Sequence, residues 1–326
     1  MSLRHNRVLR SLARRAPVVS GYERRISELT AHVEGLETRL ATQAKAGLWV
    51  PPGHFYSPIP PLDEIRNRES AIFGCNPLDA PGVDLRLDDQ RQLLAEIEPM
   101  THGVTFARSQ AEARERGDRY WTDNPSYADG DGLFLTAMLR HLRPKRMIEI
   151  GCGYSSACTL DARDRFLDGA PELTFVDPYA DLLESLLRDS DRSSVEVLKV
   201  GTQDVNLATI ADLGAGDVLF LDTTHVARTG SDVVRIFAEI LPALQPGVVV
   251  HLHDIFPNFE YPQSWVYEGR AWTEQYMLRS FLQFNAAFEI MLWPVLLHAL
   301  NPDDMVRRFP AMARNCGGSF WFRKIA

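Results

Sequence analysis

Acidic and imidazole side chains recur at regular stations in the second half of this chain. Glu149 precedes the glycine pair Gly151 and Gly153; Asp177, Asp204, Asp222 and the pair His253-Asp254 follow, with His225 three residues after Asp222. Glycines at a strand-to-helix turn let the backbone approach a ligand, and the helix start offers free N–H groups. A dinucleotide fingerprint needs a third glycine so that pyrophosphate can sit on the helix. Ser156 takes that place here, and the Glu149 carboxylate would repel pyrophosphate while suiting a cationic ligand. Asp177, 26 residues past Gly151, falls at the tip of the next strand. An acid there accepts two ribose hydroxyls, or caps the helix that Pro178 opens; both can hold. Asp204-Val205 lies where a base ring would rest. Asp222 with His225, and His253 with Asp254, supply two acid–imidazole pairs, and an imidazole titrates close to neutral pH, which suits proton transfer. His251, inside a strand, reads as a hydrogen-bonded core residue.

These residues need elements to hold them. RMIEI (146–150), LTFVD (173–177), VEVLKV (195–200), DVLFLD (217–222) and GVVVHLHD (247–254) are short, β-branched and apolar, as doubly buried parallel strands should be. Helical stretches lie between them, among them Ala180 to Arg188 and Ser231 to Leu244, the second capped by Ser231. Strand–helix alternation implies βαβ units and an α/β, doubly wound sheet. The acids therefore fall at the carboxyl ends of consecutive strands, the edge where such sheets bind ligands. After a helix from about Ala271 to Asn285 the rhythm breaks, and AFEIMLW (287–293) and GGSFWFRK (317–324) read as an antiparallel pair at one edge.

IEIGCGYSS, TFVDP, GTQDV, LFLDTTH and PGVVVHLHDIF, in that order and followed by an antiparallel pair, resemble class I S-adenosylmethionine (SAM)-dependent methyltransferases, closest in pattern to small-molecule O-methyltransferases. The resemblance covers about 125–326. It implies a seven-stranded sheet, mostly parallel, with the last strand antiparallel between the fifth and sixth. It implies that Glu149, Gly151 and Gly153 hold the methionine portion, with Tyr154, Ser155 and Asp222 also at the cofactor, Asp177 at the ribose, and Asp204 and Val205 at the adenine edge. Ser155-Ser156 stands where many members carry another glycine, and serine can still donate hydrogen bonds there.

Methyl transfer from a sulfonium is an in-line displacement, so the protein positions reactants and removes a proton from the acceptor. Two mechanisms stay open. In one, Asp222 and Asp254, with His253, hold a divalent cation, as in the metal-dependent O-methyltransferases that the sequence resembles here. His253 replaces their second acid or amide, which favours Mn²⁺ or Fe²⁺ over Mg²⁺. In the other, no metal binds and His225 and His253 serve as base and orienter. The aromatic segment from Phe256 to Tyr276, with Glu260, Arg270 and Glu274, suits a sugar or phenolic acceptor, while half of its rings are expected to roof the core. The loop 124–131 could close over SAM. A SAM-binding scaffold without turnover would instead need a blocked acceptor side, and a Rossmann oxidoreductase would want a third glycine.

The whole chain has 326 residues and a formal charge of −8, which argues against gripping nucleic acid with its whole surface. No apolar run is long enough to span a membrane. Cys75, Cys152, Cys158 and Cys316 show neither CxxC spacing nor a disulfide framework, so a reducing, cytoplasmic setting fits best. Arginines 4, 7, 10, 14, 15, 24 and 25 crowd the start, as a basic arm or a targeting segment. Val19, Tyr22, Ile26, Leu29, Val33, Leu36 and Leu40 then repeat at alternating spacings of 3 and 4. That seam implies a homo-oligomer through the N-terminal helix, or an amphipathic helix packed on its own domain. Three segments result: 1–47 arm and helix, 48–124 a proline-rich lead-in, and 125–326 the methyltransferase-like domain with a small-molecule acceptor.

Overall fold

The computed structural model describes residues 17–45 and 48–326. The basic arm and its targeting alternative fall mostly on residues 1–16 and lie outside the described residues. Two compact units divide between Asn67 and Arg68. In the first unit, the helix Pro17–Lys45 is followed by a proline-rich stretch and the short helix Leu62–Asn67.

The second unit is built on one sheet of seven strands: β1 (Arg146–Ile150), β2 (Glu172–Val176), β3 (Val195–Leu198), β4 (Val218–Leu221), β5 (Val249–Leu252), β6 (Phe288–Leu292) and β7 (Phe320–Lys324). Their spatial order is β3-β2-β1-β4-β5-β7-β6. The first five are parallel, and β7 runs antiparallel between β5 and β6. Successive side chains on a strand point to opposite faces. On β4, Val218 and Phe220 enter one core with Phe134, Leu160 and Trp321, while Leu219 and Leu221 enter the other with Ile236, Val250 and Trp293. Burial on both faces explains why these strands read as continuous apolar runs.

The residues from Leu87 to Trp121 belong to this unit. Leu94, Ile97, Ala113 and Tyr120 join the first core, and buried Arg119 pairs with Asp161 at 2.8 Å and with Asp191. The segment 124–131 is only partly a loop. Asp129 opens the helix Asp129–Leu142, whose first turn is buried against the end of the chain, with Gly130 N–H donating to the Asn315 carbonyl at 3.1 Å. Between the caps Ser231 and Leu244 the stretch is helical but changes pitch, with a π turn at Ile236–Ile240. Among the described residues, no helix is long and apolar enough to cross a membrane, and all four cysteines are free thiols.

Candidate active site

The glycine loop is shaped by backbone crowding. Gly151 takes a left-handed φ of 83°, and a Cβ there would lie 1.7 Å from the Asp222 carbonyl oxygen. Only glycine lets the loop after β1 pass so close to the end of β4. Asp177, just past β2, accepts from the Cys152 N–H at 3.0 Å and, through its other oxygen, from the Tyr179 N–H at 2.7 Å. It ties the glycine loop to the turn behind it and still has lone pairs free. Gly151, Gly153, Tyr154, Ser155, Asp177 and Asp222 all line one cavity of about 200 Å³.

Three expected contacts of this cavity sit elsewhere. Glu149 is fully buried behind the loop, where one oxygen accepts from Ser155 Oγ at 2.6 Å and Ser156 Oγ at 2.8 Å, and the other has no partner. Burial pushes its carboxyl up to about 8, against the two serine hydroxyls that favour the anion. Asp204 is exposed and Val205 is buried in the core, its carbonyl accepting from Arg235 at 2.7 Å; neither lines the cavity.

A second, larger cavity of about 600 Å³ adjoins the first, and both are lined by Ser126, Asp222 and Thr223. His225 and His253 face into it. His225 is 5% exposed and has a left-handed φ of 58°, while Asp254 has one of 59°. Strained backbone at two adjoining polar residues is the kind of cost that clusters at functional sites. The His225 ring is gripped on one side: its Nδ1 and Glu274 Oε2 are 2.8 Å apart, and Trp272 lies over it at 4.3 Å between ring centres. Glu274 also accepts from Thr223 Oγ1 at 2.8 Å, and that hydroxyl in turn accepts from the His225 N–H at 2.8 Å. This leaves Nε2 turned toward Asp222 at 3.4 Å and Asp254 at 3.7 Å. Burial opposes the imidazolium, but bonding to Asp222 and Glu274 outweighs it, and the His225 pKa rises to about 10.

His253 stands between carboxylates, with Nδ1 at 3.4 Å from Asp222 and Nε2 at 3.4 Å from Asp131 and 3.8 Å from Asp254. Burial works against its charged form, yet Asp254, Asp131 and Asp222 hold its pKa well above the ordinary value. Asp222 is correspondingly held well below the usual carboxylate range despite its burial, because both imidazoles favour the anion. Burial pushes Asp254 the other way, upward. The Asp222–His253–Asp254 cation set does not close. The two His253 nitrogens face different acids, Nδ1 toward Asp222 and Nε2 toward Asp131 and Asp254. Among the described residues, no three His, Cys, Asp or Glu side chains are set to hold a metal ion.

The outer wall of the larger cavity is aromatic, with Phe256, Trp265 and Trp272, and the Arg270 guanidinium lies 4.2 Å from the Trp265 ring and 5.1 Å from that of Trp272. Phe259 and Tyr261 of the same segment are buried instead. His251 is a core residue as expected, stacked on Phe220 at 4.2 Å, but both of its nitrogens lack hydrogen-bond partners. Asp131 and Glu274 complete the histidine cluster without any local motif to mark them. They come from helices far along the chain from His253 and His225, and only packing brings them in.

Comparison with solved structures finds likenesses to the S-adenosylhomocysteine (SAH)-bound methyltransferase PaMTH1 of Podospora anserina, at 15% identity, 75% of this chain, 98% of that one and TM-score 0.43. A second is the O-methyltransferase TomG of Streptomyces achromogenes in complex with SAM, at 17% identity, 71% and 96% coverage and TM-score 0.41. An uncharacterized protein of Archaeoglobus fulgidus is 30% identical over 170 residues, which is 48% of this chain and 76% of that protein. The family model for a methyltransferase domain matches residues 148–255, the span from β1 to just past β5. The chain belongs to the class I SAM-dependent methyltransferases. The cradle fits that cofactor: the glycine loop, held close to the end of β4 by Gly151, lines the smaller cavity together with the Asp177 and Asp222 carboxylates.

Proposed function

We propose that this protein transfers the methyl group of SAM to an oxygen of a small polar acceptor, with His225 as the general base. The observation that carries this reading is the pair of adjoining cavities that share Ser126, Asp222 and Thr223. SAM held by the glycine loop supplies an electrophilic methyl group. In the second cavity, Phe256, Trp265 and Trp272 offer flat faces to a sugar or phenolic ring, and Arg270 offers donors to its oxygens. Glu274 fixes the tautomer and direction of His225, so that neutral Nε2 can accept the hydroxyl proton as the oxygen attacks. Asp222, anionic at any working pH, stands at the junction where positive charge is carried. A scaffold without turnover would not need an acceptor cavity of about 600 Å³ beside the cofactor loop.

The test compares His225→Ala with His253→Ala under saturating SAM. His225→Ala should lower kcat by about 10²–10⁴, the usual worth of general-base help, with SAM affinity near wild type. Near-normal turnover in that variant, with collapse in His253→Ala, would move the role to His253.

A further inference from the structure

The helix Pro17–Lys45 carries large apolar residues at Val19, Tyr22, Ile26, Leu29, Val33, Leu36 and Leu40. These are the a and d positions of a heptad, with Val19 at a. A helix that packs on its own domain usually shows a wider apolar face, whereas a strict a/d stripe is the narrow seam of a coiled coil. The flanks of this stripe are largely polar: Glu23, Thr30 and Glu37 at e, and Arg25, His32 and Arg39 at g. The seam is also open, with Tyr22 68%, Ile26 63%, Leu29 49% and Val33 51% exposed. All side chains from 21 to 38 are exposed. Helical stability in proteins comes mostly from packing an amphipathic face, and among the described residues that face is uncovered from 21 to 38.

We propose that a second copy of this chain covers the seam, forming a parallel, in-register, two-stranded coiled coil. Residue type at the seam selects two strands. Val19, Ile26 and Val33 are β-branched at a, while Leu29 and Leu36 stand at d, and that pairing favours a parallel dimer. Charge selects the direction. The e flank is acidic and the g flank basic, so an antiparallel pair would face g against g and e against e, like against like. A parallel pair sets each g against the e of the partner's next heptad, which brings His32 opposite Glu37. An anionic lipid surface is the other occupant that the preceding arginines suggest. It would want a broad apolar face opposite a basic one, and the outer face here carries Glu28 and Glu34 beside Arg24.

Sedimentation of the full chain at micromolar concentration should give the mass of two copies. The double variant Leu29→Glu/Val33→Glu should sediment at half that mass and still bind SAH, which reports that the second unit is folded. Ala31→Glu, on the outer face, should stay dimeric. Leu36→Cys, placed away from the middle of the seam, should join the two copies by a disulfide on mild oxidation where wild type does not. In an antiparallel pair that residue would sit far from its own copy. A monomeric or trimeric wild-type chain, or a dimer that survives the double variant, overturns the proposal. So does a dimer that Leu36→Cys cannot link, or a monomer that co-sediments with phosphatidylserine vesicles.

Discussion

His225 sits among three carboxylates, those of Asp222, Asp254 and Glu274, and its raised pKa has a kinetic consequence. A base must be neutral to accept a proton, and a group with a pKa of about 10 is mostly protonated near neutral pH. The pH profile of kcat/KM reports the free enzyme, so its rising limb should lie well above the ~6.5 of an unperturbed imidazole. Glu274→Gln removes one of the groups that raise His225 and should shift that limb downward, measured as kcat/KM against pH. An unmoved limb would separate Glu274 from the base. Turnover should also survive EDTA, because the His253 nitrogens face apart, Nδ1 toward Asp222 and Nε2 toward Asp131 and Asp254, and no three such side chains among the described residues are set to hold a metal ion. Loss of activity in chelator, restored by Mg²⁺ or Mn²⁺, would reverse that reading. At this scale the sequence was only partly legible. Asp222, His225, His253 and Asp254 announce themselves at strand tips, whereas Glu274 and Asp131 owe their roles to tertiary packing. Asp204 and Val205 have the right station in the chain, yet the turn after β3 leaves one exposed and takes the other into the core.

Among the elements, β5 carries both kinds of histidine. His253 lies just past the strand end among acids, while His251 lies inside it, stacked on Phe220 and edge-on to Trp321, with no partner for either nitrogen. Burial, with the nearby His253 charge, holds the His251 pKa well below its ordinary value. The unfolded chain therefore binds a proton at His251 that the folded chain refuses, and stability is lost as pH falls below the unfolded pKa. His251→Leu should flatten the fall of the urea midpoint between about pH 7 and pH 5. An unchanged slope would mean that other groups set the acid limb. The strands were legible because double burial leaves an uninterrupted apolar signature. The helix Asp129–Leu142 was not, since its first turn reads DGDG, the composition of a loop. Its Asp131 is instead held by the Gly318 N–H at 2.8 Å and Ser319 Oγ at 3.0 Å, contacts that exist only once β7 is in place.

At the scale of the molecule, every side chain assigned to the cofactor loop and the histidine cluster lies in the unit Arg68–Ala326, which has its own cores on both faces of the sheet. A chain beginning at Arg68 should therefore bind SAH with the affinity of the full chain, measured by calorimetry. A large loss would show that the first unit completes the site. The shared wall at Asp222 bears on what happens after transfer. SAM held by the glycine loop would bring one positive charge to that wall, a charge that would be lost with the methyl group. In the proposed reaction, His225 gains a proton from the acceptor at the same moment, about one hydrogen-bond length from the same carboxylate. The pocket would thus end the chemical step with the net charge it began with. The proton on His225 becomes the local substitute for the spent sulfonium, and its release to solvent belongs to the resetting of the enzyme and follows the chemical step.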